Sequence, residues 1–220
     1  MTVFFSVTVS LDGIMAPESS PEDIAALRRG ESTPNLERWM TQWGRLQHWV
    51  GRQRFFRENL KIGSGGDEGR DNAILEETFR RTGASIMGRR MFEHGEVGWP
   101  DEAPFHTAVY VLTHEVREPW ERPGGTTFYF VDDGIENALK LARDAAGGQL
   151  DVRIAGGGET ILRYLNAGLV DEFSIALVPV FLGSGVSLFD GIDSDRIALE
   201  QVRAEPSSEV THLTYAVTQR

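Results

Sequence analysis

Apolar and polar residues alternate from Val3 to Ser10, and β-branched and aromatic residues return in short runs at Ala84–Met87, Ala108–Leu112, Thr127–Val131, Val152–Ile154 and Glu172–Val180. Between several of these runs the period becomes helical. In GIENALKLARDAAGG, Ile135, Leu139 and Ala142 recur on one face and Gly147 with Gly148 supplies the stop, while Thr160–Ala167 places Ile161, Leu162 and Leu165 on one side. Such alternation predicts a largely parallel sheet flanked by helices. The final stretch, IALEQVRAEPSSEVTHLTYAV, reads as two strands joined by a Pro/Ser turn, an antiparallel hairpin at a sheet edge.

Residues 17–72 break this rhythm. Trp39, Trp43, Leu46 and Val50 follow 4, 3, 4 spacing and Phe55 with Phe56 extends the apolar content, which predicts an amphipathic helical insertion after the first strand. It ends in the loop-forming segment GSGGDEGRDN. Two readings of Trp39, Trp43 and Trp49 stand open: they cover the sheet or a partner subunit, or they form an aromatic wall for a substrate. Around Ser64 the glycine-rich loop carries Asp67, Glu68 and Asp71, charges that would repel a phosphate.

Composition narrows the class. A chain of 220 residues, 40% hydrophobic and 25% charged, with no apolar run long enough to cross a bilayer, suits one globular domain spanning 1–220. The alternating start lacks a basic lead or a small-residue cleavage site, so a cytoplasmic protein is expected. With no cysteine there is no disulfide, thiolate ligand or cysteine nucleophile, and the five histidines lack the i, i+4 pairing of a helical zinc site, so no metal is expected. A net charge of −11 opposes nucleic acid and anionic lipid as partners.

The candidate chemistry lies in the glycines. In VRIAGGGETILRYL, Gly156, Gly157 and Gly158 stand between a strand and a helix, where free backbone N–H groups and the helix dipole make an anion site without any charged side chain. The Rossmann spacing fails at Ile161, and no Lys-Ser/Thr pair follows to make a P-loop. A pyrophosphate cradle and a simple tight turn both remain. A second strand ends in Gly88 followed by Arg89 and Arg90, a combination suited to phosphate, and a third ends in Thr113 and His114. Three such strand ends fit ligand binding at the carboxyl edge of a sheet.

Taken in order, SLDGIMA (10–16), IMGRRMFE (86–93), VYVLTHE (109–115), IAGGGETI (154–161) and LVPVFLGSGVSLF (177–189) resemble the dihydrofolate reductase superfamily. The branch resembled is that of the C-terminal reductase domain of the riboflavin-biosynthesis deaminase-reductase. The resemblance implies a three-layer α/β fold, with a central mixed, mostly parallel sheet of about eight strands flanked by helices. It also implies NADPH as cofactor, a small-molecule heterocyclic or sugar-carbonyl substrate, and a homodimer.

By the same resemblance, Ala155, Gly156, Gly157, Gly158, Glu159 and Thr160 would hold the pyrophosphate and the nicotinamide side, with a cis peptide frequent in the Gly-Gly pair. Gly88, Arg89, Arg90 and Met91 would meet the pyrophosphate and adenosine phosphates. Leu112, Thr113 and His114 would flank the adenosine, and Met15 and Ala16 would approach the nicotinamide. Two departures stand out: the first loop has no tryptophan, and the position where dihydrofolate reductases carry their acid, one turn before Phe79, is Leu75. Asp71, Glu76 and Glu77 lie near that position and Asp12 is a further candidate for proton chemistry, beside the bland readings of a solvated acidic face for the first three and a turn cap for Asp12. A non-catalytic NADP(H)-binding protein and dihydrofolate reductase proper are the alternative functions.

Overall fold

The computed structural model describes residues 1–220. Strand β1 (Val3–Ser10) turns through Asp12 and Gly13 into the short β2 (Ile14–Ala16). Helices α1 (Pro21–Arg28), α2 (Pro34–Arg52) and α3 (Arg54–Asn59) follow, then α4 (Arg70–Arg81) leads straight into β3 (Thr82–Gly88) and α5 (Arg89–Gly98). The chain continues through β4 (Ala108–Leu112), β5 (Trp120–Glu121), β6 (Thr127–Val131), α6 (Ile135–Ala146), β7 (Asp151–Gly156) and α7 (Gly158–Asn166). It finishes with β8 (Glu172–Val178), β9 (Val186–Ser187), β10 (Ile197–Pro206) and β11 (Thr211–Gln219).

Nine strands form one sheet in the order β10-β11-β8-β1-β7-β3-β4-β6-β5, and β2 pairs with β9 beside it. From β8 to β6 all neighbours are parallel. The expected hairpin β10–β11 joins β8 antiparallel at one edge, and the short β5 closes the other.

Alternation sorts each strand between two layers. Val3, Phe5 and Val9 of β1, with Val152 and Ile154 of β7, face α6 and α7 and build the main core with Leu139, Ile161 and the fully buried Tyr164. Burial holds the Tyr164 phenol in its neutral form, its hydroxyl donating to the Ile135 carbonyl at 2.7 Å. On the opposite face two smaller clusters form. One packs Leu46, Trp49 and Val50 of α2 over Ala176 and Val178; the other packs Phe92 of α5 over Met87, Val111 and Phe128. The result is the three-layer mixed α/β architecture expected from the motifs.

The insertion begins as expected but its end differs. Thr33 caps α2, accepting from the Leu36 N–H at 3.1 Å, and Pro34 fills the first turn, where no N–H is needed. Residues 70–72, read as loop, form the first turn of α4 instead, because Asn72 accepts from the Phe55 N–H at 2.7 Å and Asp71 is drawn inward by His212. The strand read as Glu172–Val180 stops at Val178, before Pro179, a residue with no N–H to give to a ladder.

Candidate active site

Because β1, β7, β3, β4 and β6 are parallel, their carboxyl ends meet along one edge. The chain leaves β1, fills the sheet outward from β3 to β6, then returns to lay β7 between β1 and β3. The connections therefore diverge above β7 and open a crevice, the usual ligand position in such sheets.

Both glycine turns lie in that crevice, on neighbouring strands: Met87 of β3 pairs with Gly156 of β7. A Cβ on Gly88 would stand 2.4 Å from Thr160 Oγ1, so glycine is what lets the two turns approach. Gly156 has φ +137°, a backbone region open to glycine, and its Cα faces Met91 Sδ. The Gly156–Gly157 peptide is cis. Helices α5 and α7 start at Gly88 and Gly157 without any side-chain cap, which leaves their first-turn N–H groups free beside the gap.

A single cleft of about 1400 Å³ runs along this edge and over the lower sheet face. That exceeds the roughly 300–1,000 Å³ typical of one drug-sized ligand, so it has room for two molecules side by side. Gly88, Arg89, Arg90 and Met91 line it, as do Leu112, Thr113 and His114, the run Ala155 to Thr160, and Met15 with Ala16. Arg90 is paired with Glu159 at 3.0 Å, and Arg89 lies between Glu93 and Glu115 at 3.8 and 3.6 Å; all three partners are carboxylates. Asp132 and Gly134, at the end of β6, also line this end. They went unread in the sequence, although DDG repeats the pattern of polar groups and glycine at a strand's carboxyl end.

At the other end the tryptophans divide. Trp39 stacks on Trp43 with centroids 5.5 Å apart and on His94 at 5.3 Å, forming one continuous wall. Trp49 is 4% exposed and belongs to the packed layer, its indole N–H donating to Thr8 Oγ1 at 3.2 Å and its ring meeting His212 edge-on. It meets the cleft only as floor.

Of the proton candidates, Asp12 and Glu76 lie outside the cleft. Asp12 accepts from Ser10 Oγ at 2.5 Å, from the Gly183 N–H at 2.7 Å and from the Leu182 N–H at 3.2 Å. These donors, the Ser10 hydroxyl first, hold its pKa down at about 2, which makes it a permanent anion tying two loops together. Glu76 is exposed on the outer side of α4, because one residue's step around a helix turns a side chain by about 100°. Leu75 faces the cleft in its place.

One turn before Leu75, Asp71 is buried and accepts from His212 Nε2 at 2.7 Å, and His212 lines the cleft. Arg153 of β7 and the hydroxyls of Ser6, Ser174 and Thr214 line the same inner end. From the sequence Asp71 reads as part of a solvated acidic face, which its burial against His212 corrects; His212, Arg153 and the three hydroxyls were not read there.

Residues 1–213 match the RibD C-terminal domain. The chain belongs to the RibD C-terminal domain family. Among relatives of this family member, the uncharacterized protein YwjB of Bacillus subtilis (strain 168) is 26% identical over 128 residues, 58% of this chain and 70% of that one. YyaP of the same strain is 36% identical over 88 residues, 39% of this chain and 45% of that one.

Among solved structures, a putative riboflavin biosynthesis protein from Shewanella sp. PV-4 aligns over 99% of both chains with TM-score 0.64 and 21% identity. Dihydrofolate reductase from Enterococcus faecalis, complexed with NADP(H) and RAB-propyl, aligns over 99% of this chain and 96% of that one, with TM-score 0.54 and 13% identity. A diaminohydroxyphosphoribosylaminopyrimidine deaminase/5-amino-6-(5-phosphoribosylamino)uracil reductase from Thermotoga maritima gives TM-score 0.55 and 14% identity; the match covers 99% of this family member and 56% of that chain. The fold is thus dihydrofolate reductase-like, and the family is that of the RibD C-terminal domain.

Proposed function

We propose that the protein is an NADPH-dependent reductase of a small, flat heterocycle or sugar carbonyl, related to the riboflavin-pathway ribosylaminopyrimidine reductase. The observation that carries this reading is the pair of uncapped helix starts, Gly88 and Gly157, brought together across neighbouring strands. A side chain at Gly88 would clash with the Thr160 hydroxyl and part the two turns, and the open N–H groups there suit an anion that brings no cation of its own.

In this reading the N–H groups of α5 and α7 hold the pyrophosphate, and Arg89 or Arg90 exchanges a surface carboxylate for the adenosine phosphate. Thr113 and His114 flank the adenosine, while Met15, Ala16 and the Ala155–Gly156 segment flank the nicotinamide. When bound, the cofactor supplies the hydride. The chain's own residues orient the partner molecule and exclude water, Trp39 and Trp43 forming the outer wall. His212, held by Asp71, is the group placed to hold a proton within the cleft.

A second reading, an NADP(H) binder without turnover, is favoured by one observation: Leu75 occupies the acid's position. Following the near-ultraviolet absorbance of NADPH in the presence of candidate carbonyls separates the two. The reductase reading predicts protein-dependent oxidation of NADPH with at least one of them; saturable binding with no oxidation under any of them supports the binder. A homodimer belongs to the same proposal, since the outer strand β10 leaves Leu199 and Val202 exposed, and light scattering at twice the chain mass is the expected result.

A further inference from the structure

The lower face of the sheet changes character under α4. The same strands that present Val3, Phe5, Phe173, Ile175 and Tyr215 to the main core present Ser6, Ser174 and Thr214 to the cleft. Strand register sets these three hydroxyls in one row, Ser6 opposite Ser174 and Ser174 opposite Thr214, with Ser174 Oγ and Thr214 Oγ1 2.9 Å apart. Arg153 projects from β7 on the same face, a diagonal neighbour of Ser6 through the Phe4–Arg153 pairing.

Arg153 is the group the fold leaves unanswered. Its Nε is sealed from solvent without a hydrogen-bond partner, and its guanidinium lies over the Phe79 ring, 5.1 Å from the centroid. Burial pulls its pKa down to about 10, with no carboxylate acting in the other direction, so it stays charged at neutral pH. Nearby acids are already engaged: Arg81 takes Asp151 at 2.8 Å and Glu172 at 2.7 Å, and Asp71 is bound to His212. Leu75 faces the cleft from α4, so no acid stands at that position either. A half-buried cation with its Nε sealed and no counter-charge costs free energy that a bound anion would offset.

We propose that this inner end is an oxyanion site: Arg153 receives a carboxylate or phosphate carried by the substrate, with the hydroxyls of Ser6, Ser174 and Thr214 donating beside it. The planar guanidinium suits two-point pairing with either group. The cleft therefore selects anionic substrates. The inference rests on the reductase reading only in calling the bound molecule a substrate.

Three probes of similar size test it: benzoate, phenyl phosphate and the neutral benzyl alcohol, titrated into the full chain and followed by ligand-observed NMR. At least one anion is expected to bind tenfold or more tightly than benzyl alcohol, and the stronger of the two identifies carboxylate or phosphate as the source. Arg153→Met should bring all three within about twofold of one another, and NADPH affinity, measured in parallel, should stay within about twofold of the parent. Equal binding of all three probes by the parent, no binding of any, or an anion preference that survives Arg153→Met overturns the proposal. Should that variant not fold, Ser174→Ala serves instead: anion affinity falls at least threefold with benzyl alcohol unmoved, and unchanged anion affinity overturns the site. A parent protein that binds the anions but not NADPH would sink the reductase reading and leave the oxyanion site standing.

Discussion

Gly88 and Thr160 face each other across the seam between β3 and β7, so close that a methyl group on Gly88 would lie 2.4 Å from the Thr160 hydroxyl. Adding that methyl pushes apart the starts of α5 and α7, the two sets of N–H groups held to grip one diphosphate. Gly88→Ala is therefore expected to weaken NADPH binding at least tenfold, about 1.4 kcal/mol, with the far-ultraviolet circular dichroism unchanged. Fluorescence titration of NADPH checks it.

Asp12 offers a test that separates structure from chemistry. Its folded pKa, about 2, lies below the ordinary value of 3.8, so its contribution to stability is complete above that ordinary value and is lost as the pH falls through about 2. Asp12→Asn should lower stability at neutral pH and flatten the loss between about pH 4 and pH 2, as read by chemical denaturation. The pH profile of turnover should keep its shape, because Asp12 donates no proton to the cleft. A profile that shifts with this substitution would return Asp12 to the chemistry.

How far the sequence carried depended on whether a feature is local. The turns at Gly88 and Gly156–Gly158 were legible because free amides at a strand-to-helix junction need glycine nearby in sequence. Trp49 was not separable from Trp39 and Trp43, since all three lie on one helix and only the tertiary packing against Thr8 and His212 distinguishes them. Asp71 and His212 are 141 residues apart, and no spacing rule joins them. Arg153 passed as part of an apolar run, and the row Ser6–Ser174–Thr214 exists only once the register of three strands is fixed.

His212 is predicted to matter for turnover more than for binding. His212→Phe keeps a ring edge-on to Trp49 but removes the proton site and strips Asp71 of its partner. The expectation is a fall of at least tenfold in kcat with NADPH affinity held within about twofold, in line with the usual worth of one general acid. Steady-state kinetics alongside direct cofactor titration provide the comparison.

Arg153 should show the opposite trade. Replacing a half-buried, unpaired guanidinium by an apolar chain of similar length removes part of a desolvation cost, so Arg153→Met is expected to stabilise the protein by about 1 kcal/mol. At about 2–4 °C per kcal/mol for a chain of this size, the change is visible in a thermal melt. A lowered Tm would mean that the guanidinium is better satisfied within the fold than its surroundings imply.

The central claim is that two helix starts, at Gly88 and Gly157, jointly hold the diphosphate of a nicotinamide coenzyme. Isothermal calorimetry of the full chain with NADPH tests it most directly. One saturable site per chain, weakened at least tenfold by Gly88→Ala, is the predicted result; no heat of binding with either NADPH or NADP⁺ would contradict it.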